Sequence, residues 1–292
     1  MFLWMLPLWL VISACLGMWL YFDRQSRDRD VEQIRFATGV NEAGLKDDVG
    51  KFLTFVGERH TSSGAGVQGL TRAAAMIEGA LGPGNAGYRV ERIQGPATPS
   101  GRWPILMVTL RGWNDEAAPL WVIAGYDARP GSLGAELDAS GTASVMAAAS
   151  SLATAKPERP VVFAFLPHAY DPESPLLETF ELFSQRARSA SEVLVVESMG
   201  AAPSLVISSR EAESRVFRSV GELGEISSAE SICLEDDFDL SSTLFEVGLP
   251  AVRVATRPVV KADEVDNKAP EAAVHAAATK ALVSLIERLS NS

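Results

Sequence analysis

Residues 124–141, "AGYDARPGSLGAELDASG", place three carboxylates on one glycine-rich loop: Asp127, Glu136 and Asp138. Carboxylates so gathered can hold a metal ion or move protons in general acid–base catalysis. The loop follows an apolar run, "PLWVI" at residues 119–123, and precedes an alanine-rich helical run at residues 142–155. A strand, a glycine-rich loop and then a helix is where α/β enzymes place their chemistry. Yet no histidine or cysteine stands beside the three carboxylates. The loop has the outline of an active site and lacks its commonest working parts.

The elements that must position this loop can be read from apolar spacing. Helical periodicity covers residues 42–56 and 67–81, separated by the turn-rich "GERHTSSGAG" at residues 57–66. Strand-like runs follow at residues 88–93, 105–110 and 120–123, then a helix at 139–155. Residues 161–166 are short and continuously apolar, as in a strand buried on both faces. A helix at 176–188 leads to strands at 192–196 and 205–208, a helix at 211–223, and short strands at 231–234 and 251–254. An amphipathic helix over 270–289 closes the chain. Strands alternating with helices predict an α/β fold: three layers, with a mostly parallel central sheet flanked by helices.

The chain has 292 residues, 47% of them hydrophobic and 22% charged, which suffices for a full core. A net charge of −11 argues against a nucleic-acid partner, whose phosphates need a basic surface. Residues 2–22, "FLWMLPLWLVISACLGMWLYF", carry no formal side-chain charge. That length spans a bilayer as a helix, and Trp4, Trp9, Trp19 and Tyr21 include aromatics near both ends. A cleaved signal peptide would show a basic start and a shorter apolar core. A lipoprotein signal would turn polar soon after Cys15, whereas this run stays apolar to Phe22. The expected organisation is a transmembrane anchor at 1–22, a juxtamembrane stalk at 23–41 and a single folded body at 42–292. Arg24, Arg27, Arg29 and Arg35 after the span would place the body in the cytoplasm by the positive-inside rule. Cys15 and Cys233 are the only cysteines, so no disulfide framework reports on the compartment.

Several motifs in order resemble the zinc exopeptidases related to aminopeptidase S and aminopeptidase Y, the M28 peptidases. "GERHTSSGAGVQGLTRAAAMIEGAL…GYRVE" is similar to the family's opening segment. "WVIAGYDARPGSLGAELDASGTASVM" is similar to its G-x-H-x-D strand end and the following G-A-x-D-N-A-S-G. "RPVVFAFLPHAYDPE" resembles the strand ending in Glu-Glu, "VLVVESMG" a later acidic strand, and "FEVGLPAVRV" the G-I-P strand. The resemblance runs from about residue 49 to 289. It implies a peptidase fold whose chemistry uses two zinc ions about 3.5–4 Å apart to activate water and polarise the scissile carbonyl.

Carried over position by position, most of that chemistry is absent. The first histidine ligand falls on Gly125, while the aspartate that orients it is retained as Asp127. The bridging aspartate falls on Leu137, and the next position, usually asparagine, is Asp138. The Glu-Glu pair, base and ligand, falls on Ala169 and Tyr170. The later acidic ligand falls on Glu197, and the loop after Val254 has no histidine for the last. The resemblance thus leaves one direct ligand, Glu197, where a catalytic zinc needs three. Glu136 and His168 are the neighbours that could rebuild a site.

Other constellations are weaker. His60 reads as a surface or loop hydrogen-bonding residue, and His275 as a surface or packing residue of the last helix. Ser62, Ser132 and Ser140 lie in glycine-rich loops without a G-x-S-x-G elbow, and Ser140 reads as part of a helix start. "EDDFD" at residues 235–239 lacks the EF-hand spacing and glycine and reads as solvated surface. Core or edge packing accounts for Tyr88, Trp103, Trp113 and Trp121.

The expected protein is a membrane-anchored, catalytically inactive aminopeptidase-like chain, needing no cofactor and acting as a binding or complex subunit for a protein partner or peptide ligand. The alternative is an active hydrolase with a relocated zinc site drawn from Asp127, Glu136, Asp138, His168 and Glu197. The apolar run implies a single-pass protein, and the resemblance implies that its body lies on the exoplasmic or periplasmic side, against the arginine count. Leu137 and Tyr170 are expected to face one pocket near Gly125, with Asp127 and Glu197 hydrogen-bonded at its wall.

Overall fold

The computed structural model describes residues 16–19, 39–209, 214, 216–217, 226–230, 240–258 and 265–291, with backbone alone at 226–230. Most of the expected anchor and stalk, most of the 211–223 helix, the 231–234 strand with Cys233 and the acidic run at 235–239 lie outside these residues. Among the described residues no helix is long and apolar enough to cross a membrane.

The body opens with α1 (Glu42–Lys51), whose first turn is capped by Asn41: its side chain accepts from the Gly44 N–H at 2.7 Å. The helix widens into a π-helical turn over Phe52–Val56, so the expected 42–56 helix changes pitch near its end. Helix α2 (Gly64–Leu81) starts at Ser63, which caps Gly66 in the same way. Strands β1 (Glu91–Gln94), β2 (Pro104–Leu110) and β3 (Leu120–Gly125) follow. A π-helical turn at Ala135–Ala139 feeds α3 (Ser140–Ser151), which leads to β4 (Val161–Leu166), α4 (Leu176–Ala187), β5 (Glu192–Val196) and β6 (Leu205–Ser209). Strand β7 (Ile226–Glu230), α5 (Leu240–Glu246), β8 (Ala251–Ala255) and α6 (Ala272–Ser290) complete the described elements.

The strands form one sheet in the order β1-β2-β4-β3-β5-β8-β6-β7. It is mixed rather than mostly parallel. The central strands β4, β3, β5 and β8 run parallel, as do β6 and β7. Strands β1 and β2, β2 and β4, and β6 and β8 pair antiparallel. Link length explains the departure. Residues 111–119 and 197–204 are the whole connections from β2 to β3 and from β5 to β6. Both are shorter than the dozen or more residues a parallel crossover needs, so each brings the chain back antiparallel. Where α3 or α4 fills the connection, the next strand is parallel.

Alternation along the central strands divides the core in two. Leu120, Val122 and Ala124 of β3, with Phe163 and Phe165 of β4, face the layer of α2, α3 and α6. Trp121 and Ile123, with Val162 and Ala164, face the opposite layer, where Phe180 and Phe183 of α4 and Leu244 of α5 pack. Both faces of β3, β4, β5 and β8 are covered: each of their residues is buried. The carboxyl ends of these strands meet at one edge, and the loops leaving that edge carry the candidate site.

Candidate functional site

Gly125 ends β3 on the face where His would be needed. A Cβ there would lie 2.5 Å from the Ala169 Cβ and 2.5 Å from Tyr170 Cε2, well inside contact distance. The space a metal-binding side chain would use is therefore filled by the residues that stand at the Glu-Glu positions. Leu137, 3% exposed, joins Ala169 and Tyr170 in the same apolar cluster. The Tyr170 hydroxyl donates to Glu197 Oε2 at 3.3 Å. Tyr170 thus meets both Gly125 and Glu197, and Leu137 is buried in the same apolar cluster as Tyr170.

Glu197 follows β5 and is fully buried. Its Oε1 accepts from Nε of Arg253, also fully buried, in the middle of β8. The Arg253 guanidinium continues through Nη1 to the Arg257 carbonyl at 2.8 Å and through Nη2 to the Pro258 carbonyl at 3.4 Å. Strand alternation sets this up: odd-numbered positions of β5 and β8 share a face. A buried carboxylate needs a cation or hydrogen-bond donors, and this one has an arginine.

The other carboxylates are held in the same internal way. Asp127 accepts from the backbone N–H groups of Ala169, Tyr170 and Asp171, each at 2.9 Å. It fixes the loop after β4. Burial pushes its carboxyl up to about 7, against the pull of those donors. Glu136 pairs with Arg257, which reaches it by Nε at 2.9 Å and Nη2 at 2.7 Å. Burial raises its pKa, and Arg257 opposes the rise. Asp138 lies 3.9 Å from Arg59, and burial holds its carboxyl well above the ordinary range despite that cation. Arg59, fully buried, spends its other donors on the carbonyls of Tyr126 at 3.0 Å, Gly57 at 3.1 Å and Leu133 at 2.9 Å, and lies over the Phe52 ring. It pins the glycine-rich loop to the chain before α2.

Asp266, beyond β8, accepts from the backbone N–H groups of Glu136 at 2.8 Å and Leu137 at 2.6 Å. The segment that the resemblance would have supply a histidine supplies instead a carboxylate cap for the turn carrying Leu137. Ser198, next to Glu197, has φ 49°, a left-handed conformation costly for a residue with a side chain. Its N–H donates to the Leu137 carbonyl at 3.0 Å, and its carbonyl accepts from the Thr256 N–H at 3.0 Å and the Thr256 hydroxyl. These bonds tie β5, the Leu137 turn and β8 together.

His168 does not join the site. It is fully buried, lies edge-on to Trp103 with ring centroids 5.9 Å apart, and neither ring nitrogen has a hydrogen-bond partner. Burial lowers its pKa to about 4, so the ring is neutral near pH 7. His275 is an interior residue, not a surface one: its Nε2 lies 2.8 Å from the Ser144 hydroxyl and 3.1 Å from the Ser140 carbonyl, joining α6 to α3. His60 is 4% exposed and hydrogen-bonded within its loop, its Nδ1 accepting from the Ser62 N–H at 3.2 Å. Ser140 begins α3 and donates to the Glu136 carbonyl. Trp113 is not packed: it is 68% exposed, unlike Tyr88, Trp103 and Trp121.

The residues do not suit a pair of zinc ions. Leu137, Ala169 and Tyr170 offer no carboxylate, Gly125 has no room for an imidazole, and Glu197 is committed to Arg253. Among the described residues no three His, Cys, Asp or Glu side chains converge as a metal site would need. Sequence reasoning missed Arg253, Arg257 and Asp266. The first had a signal: an arginine inside the apolar strand "AVRVA" must find a buried anion.

Residues 106–168 match the family model "Peptidase family M28". The matched stretch runs from β2 past β4 and includes Gly125, Asp127, Leu137 and Asp138. No curated protein matches the chain. Among solved structures, the LapA aminopeptidase of Legionella pneumophila is similar at 14% identity and a TM-score of 0.64, covering 91% of this chain and 73% of that one. BSAP, a zinc aminopeptidase from Bacillus subtilis, is similar at 9% identity and a TM-score of 0.65, over 87% of this chain and 96% of that one. The glutaminyl cyclase of Tannerella forsythia gives 14% identity and a TM-score of 0.60, over 86% and 99%. At such identities the likeness establishes the fold, a mixed α/β sheet flanked by helices of the zinc-exopeptidase kind.

Proposed function

We propose that this chain is a catalytically inactive M28 peptidase relative, anchored in a membrane by residues 2–22, that works by binding a protein or peptide as a complex subunit. The observation that carries the reading is the Glu197–Arg253 pair. The one carboxylate left at a zinc-ligand position is neutralised by a guanidinium, and Tyr170 closes over the place of the first histidine. Arg59, Arg253 and Arg257 supply beside the site carboxylates the positive charge that metal ions would supply in an active relative. The scaffold is kept while the chemistry is replaced by packing, which suits recognition. In this reading the body lies on the exoplasmic or periplasmic side.

A second reading, an active hydrolase with a displaced zinc site, draws on Glu136 Oε1 and Asp138 Oδ1, which are buried without a hydrogen-bond partner. Zinc would be its cofactor. Titration of the purified full-length protein with zinc in a calorimeter separates the two. The inactive reading expects no stoichiometric uptake at micromolar zinc; saturable tight uptake, abolished by Glu136→Gln or Asp138→Asn, would establish the second.

A further inference from the structure

At the end of the sheet opposite the degenerate site, the turn after β2 and the loops beside it form a cleft of about 680 Å³. Tyr88, Arg89, Glu91, Arg111, Trp113 and Lys156 line it. On a chain of net charge −11 this is a local excess of cations. Glu91, the carboxylate in the lining, lies 3.4 Å from Arg186. Arg89, Arg111 and Lys156 are exposed and make no ion pair among the described residues. The acidic Asp115, Glu116 and Glu158 lie on adjoining loops outside the lining.

Trp113 is the second observation. It is 68% exposed, yet its backbone is fixed: its N–H donates to the Pro157 carbonyl at 3.0 Å, and the Asn114 N–H donates to the Glu158 carbonyl at 2.9 Å. The preceding Gly112 makes this approach possible, because a Cβ there would sit 2.5 Å from the Glu158 carbonyl oxygen. A large indole held outward on a fixed loop among cations has the composition of a membrane-interface contact.

The third observation is where the chain enters the body. Residues 39–41 border one small groove together with Ala80, Met146, Ala147 and Ser150. The carbonyl of Ser150, near the end of α3, accepts from the N–H of Ala153 at 3.4 Å, and Ala153 lines the cleft. The proposed span ends at residue 22, so residues 23–38 form the whole tether. At full extension that is roughly 55 Å, and less if coiled.

We propose that this cleft is the surface by which the body lies on its own membrane, with Arg89, Arg111 and Lys156 taking anionic phospholipid headgroups and Trp113 entering the interfacial layer. The inference rests on the anchor reading. It directs the degenerate site away from the bilayer, where a soluble partner can reach it.

The test uses the full chain in nanodiscs of phosphatidylglycerol or of phosphatidylcholine, with hydrogen–deuterium exchange as the readout. Segments 86–91 and 109–113 should exchange several-fold more slowly in the anionic discs. The protection should disappear in the Arg89→Gln, Arg111→Gln, Lys156→Gln triple variant, while exchange in β3 and β4 is unchanged. Equal exchange in the two lipids, or protection that survives the triple substitution, overturns the proposal. So does protection by a polyglutamate peptide without protection by lipid, which would make the cleft a protein site. A chain that stays out of the discs refutes the anchor alone. The cleft must then still draw the protein onto phosphatidylglycerol vesicles at low salt, and failure to co-sediment refutes it too.

Discussion

Nε of Arg253 donates to Oε1 of Glu197 with both side chains fully buried, and the pair ties the end of β5 to the middle of β8 beneath Tyr170. Two charges removed from water are tolerable only because each has the other and further hydrogen bonds. Removing one leaves the other uncompensated. Arg253→Met should therefore destabilise the protein by about 3–5 kcal/mol, and Glu197→Leu by a similar amount. The double variant should be markedly less unstable than the sum of the two. Denaturant melts of the four proteins form the cycle, and strict additivity would show that the pair is not coupled.

By the resemblance Leu137 stands where a metal-bridging carboxylate would be required, and it is buried in the same apolar cluster as Ala169 and Tyr170. Leu137→Asp places a charge in that cluster without a partner. The variant should lose roughly 1–3 kcal/mol of stability and gain no peptidase activity. Unchanged stability in thermal or denaturant melts would mean that the position is wetter than its burial indicates.

Stability should not depend on a metal. The candidate site is closed by Tyr170, by arginines and by backbone N–H groups, none of which is a ligand that folding would have to deprotonate. Thermal melts of the full chain with and without a chelator should coincide. A large fall in Tm on chelation would contradict this.

Opposed buried groups set the pH dependence. Burial raises Asp127 from 3.8 to about 7 and raises Asp138 too, whereas burial lowers His168 and His275 from 6.5 to about 4. Above pH 3.8 the unfolded chain has lost the Asp127 proton that the folded chain keeps, so this group weakens folding as pH climbs toward 7. The histidines act in reverse: below pH 6.5 the unfolded chain gains protons that the folded chain refuses, so stability falls as pH drops toward 4. Each contributes a slope of at most about 1.4 kcal/mol per pH unit, and they offset one another between those limits. Asp127→Asn removes one falling contribution. Its stability relative to wild type should rise with pH by about 1 kcal/mol per unit from pH 4 to 6.5. Parallel urea-derived profiles for the two proteins would rule this out.

Much of the fold is written in local pattern. The continuous apolar runs of β3, β4 and β5 and the periodicity of α6 each mark an element that the structure contains. The strand order at the flanks is not local: β4, later in the chain, inserts between β2 and β3. That Gly125, Leu137, Ala169 and Tyr170 are residue types unsuited to metal binding is visible in the sequence itself. The partners of the buried carboxylates are harder to read. Arg253, Arg257 and Asp266 come from β8 and the segment after it, far along the chain from Glu136 and Leu137, and only the packed sheet brings them there. Trp113 is invisible for the opposite reason: a tryptophan next to a strand is usually packed, and only the loop geometry leaves this one in solvent.

Steady-state hydrolysis of aminoacyl reporter substrates by the purified full-length protein, with and without added zinc, tests the central claim most directly. The packed Gly125–Tyr170 contact and the Glu197–Arg253 pair predict rates at the uncatalysed background in both conditions, for wild type and for Leu137→Asp alike. Zinc-dependent turnover by the wild-type protein, lost on chelation and restored by metal, would contradict the account.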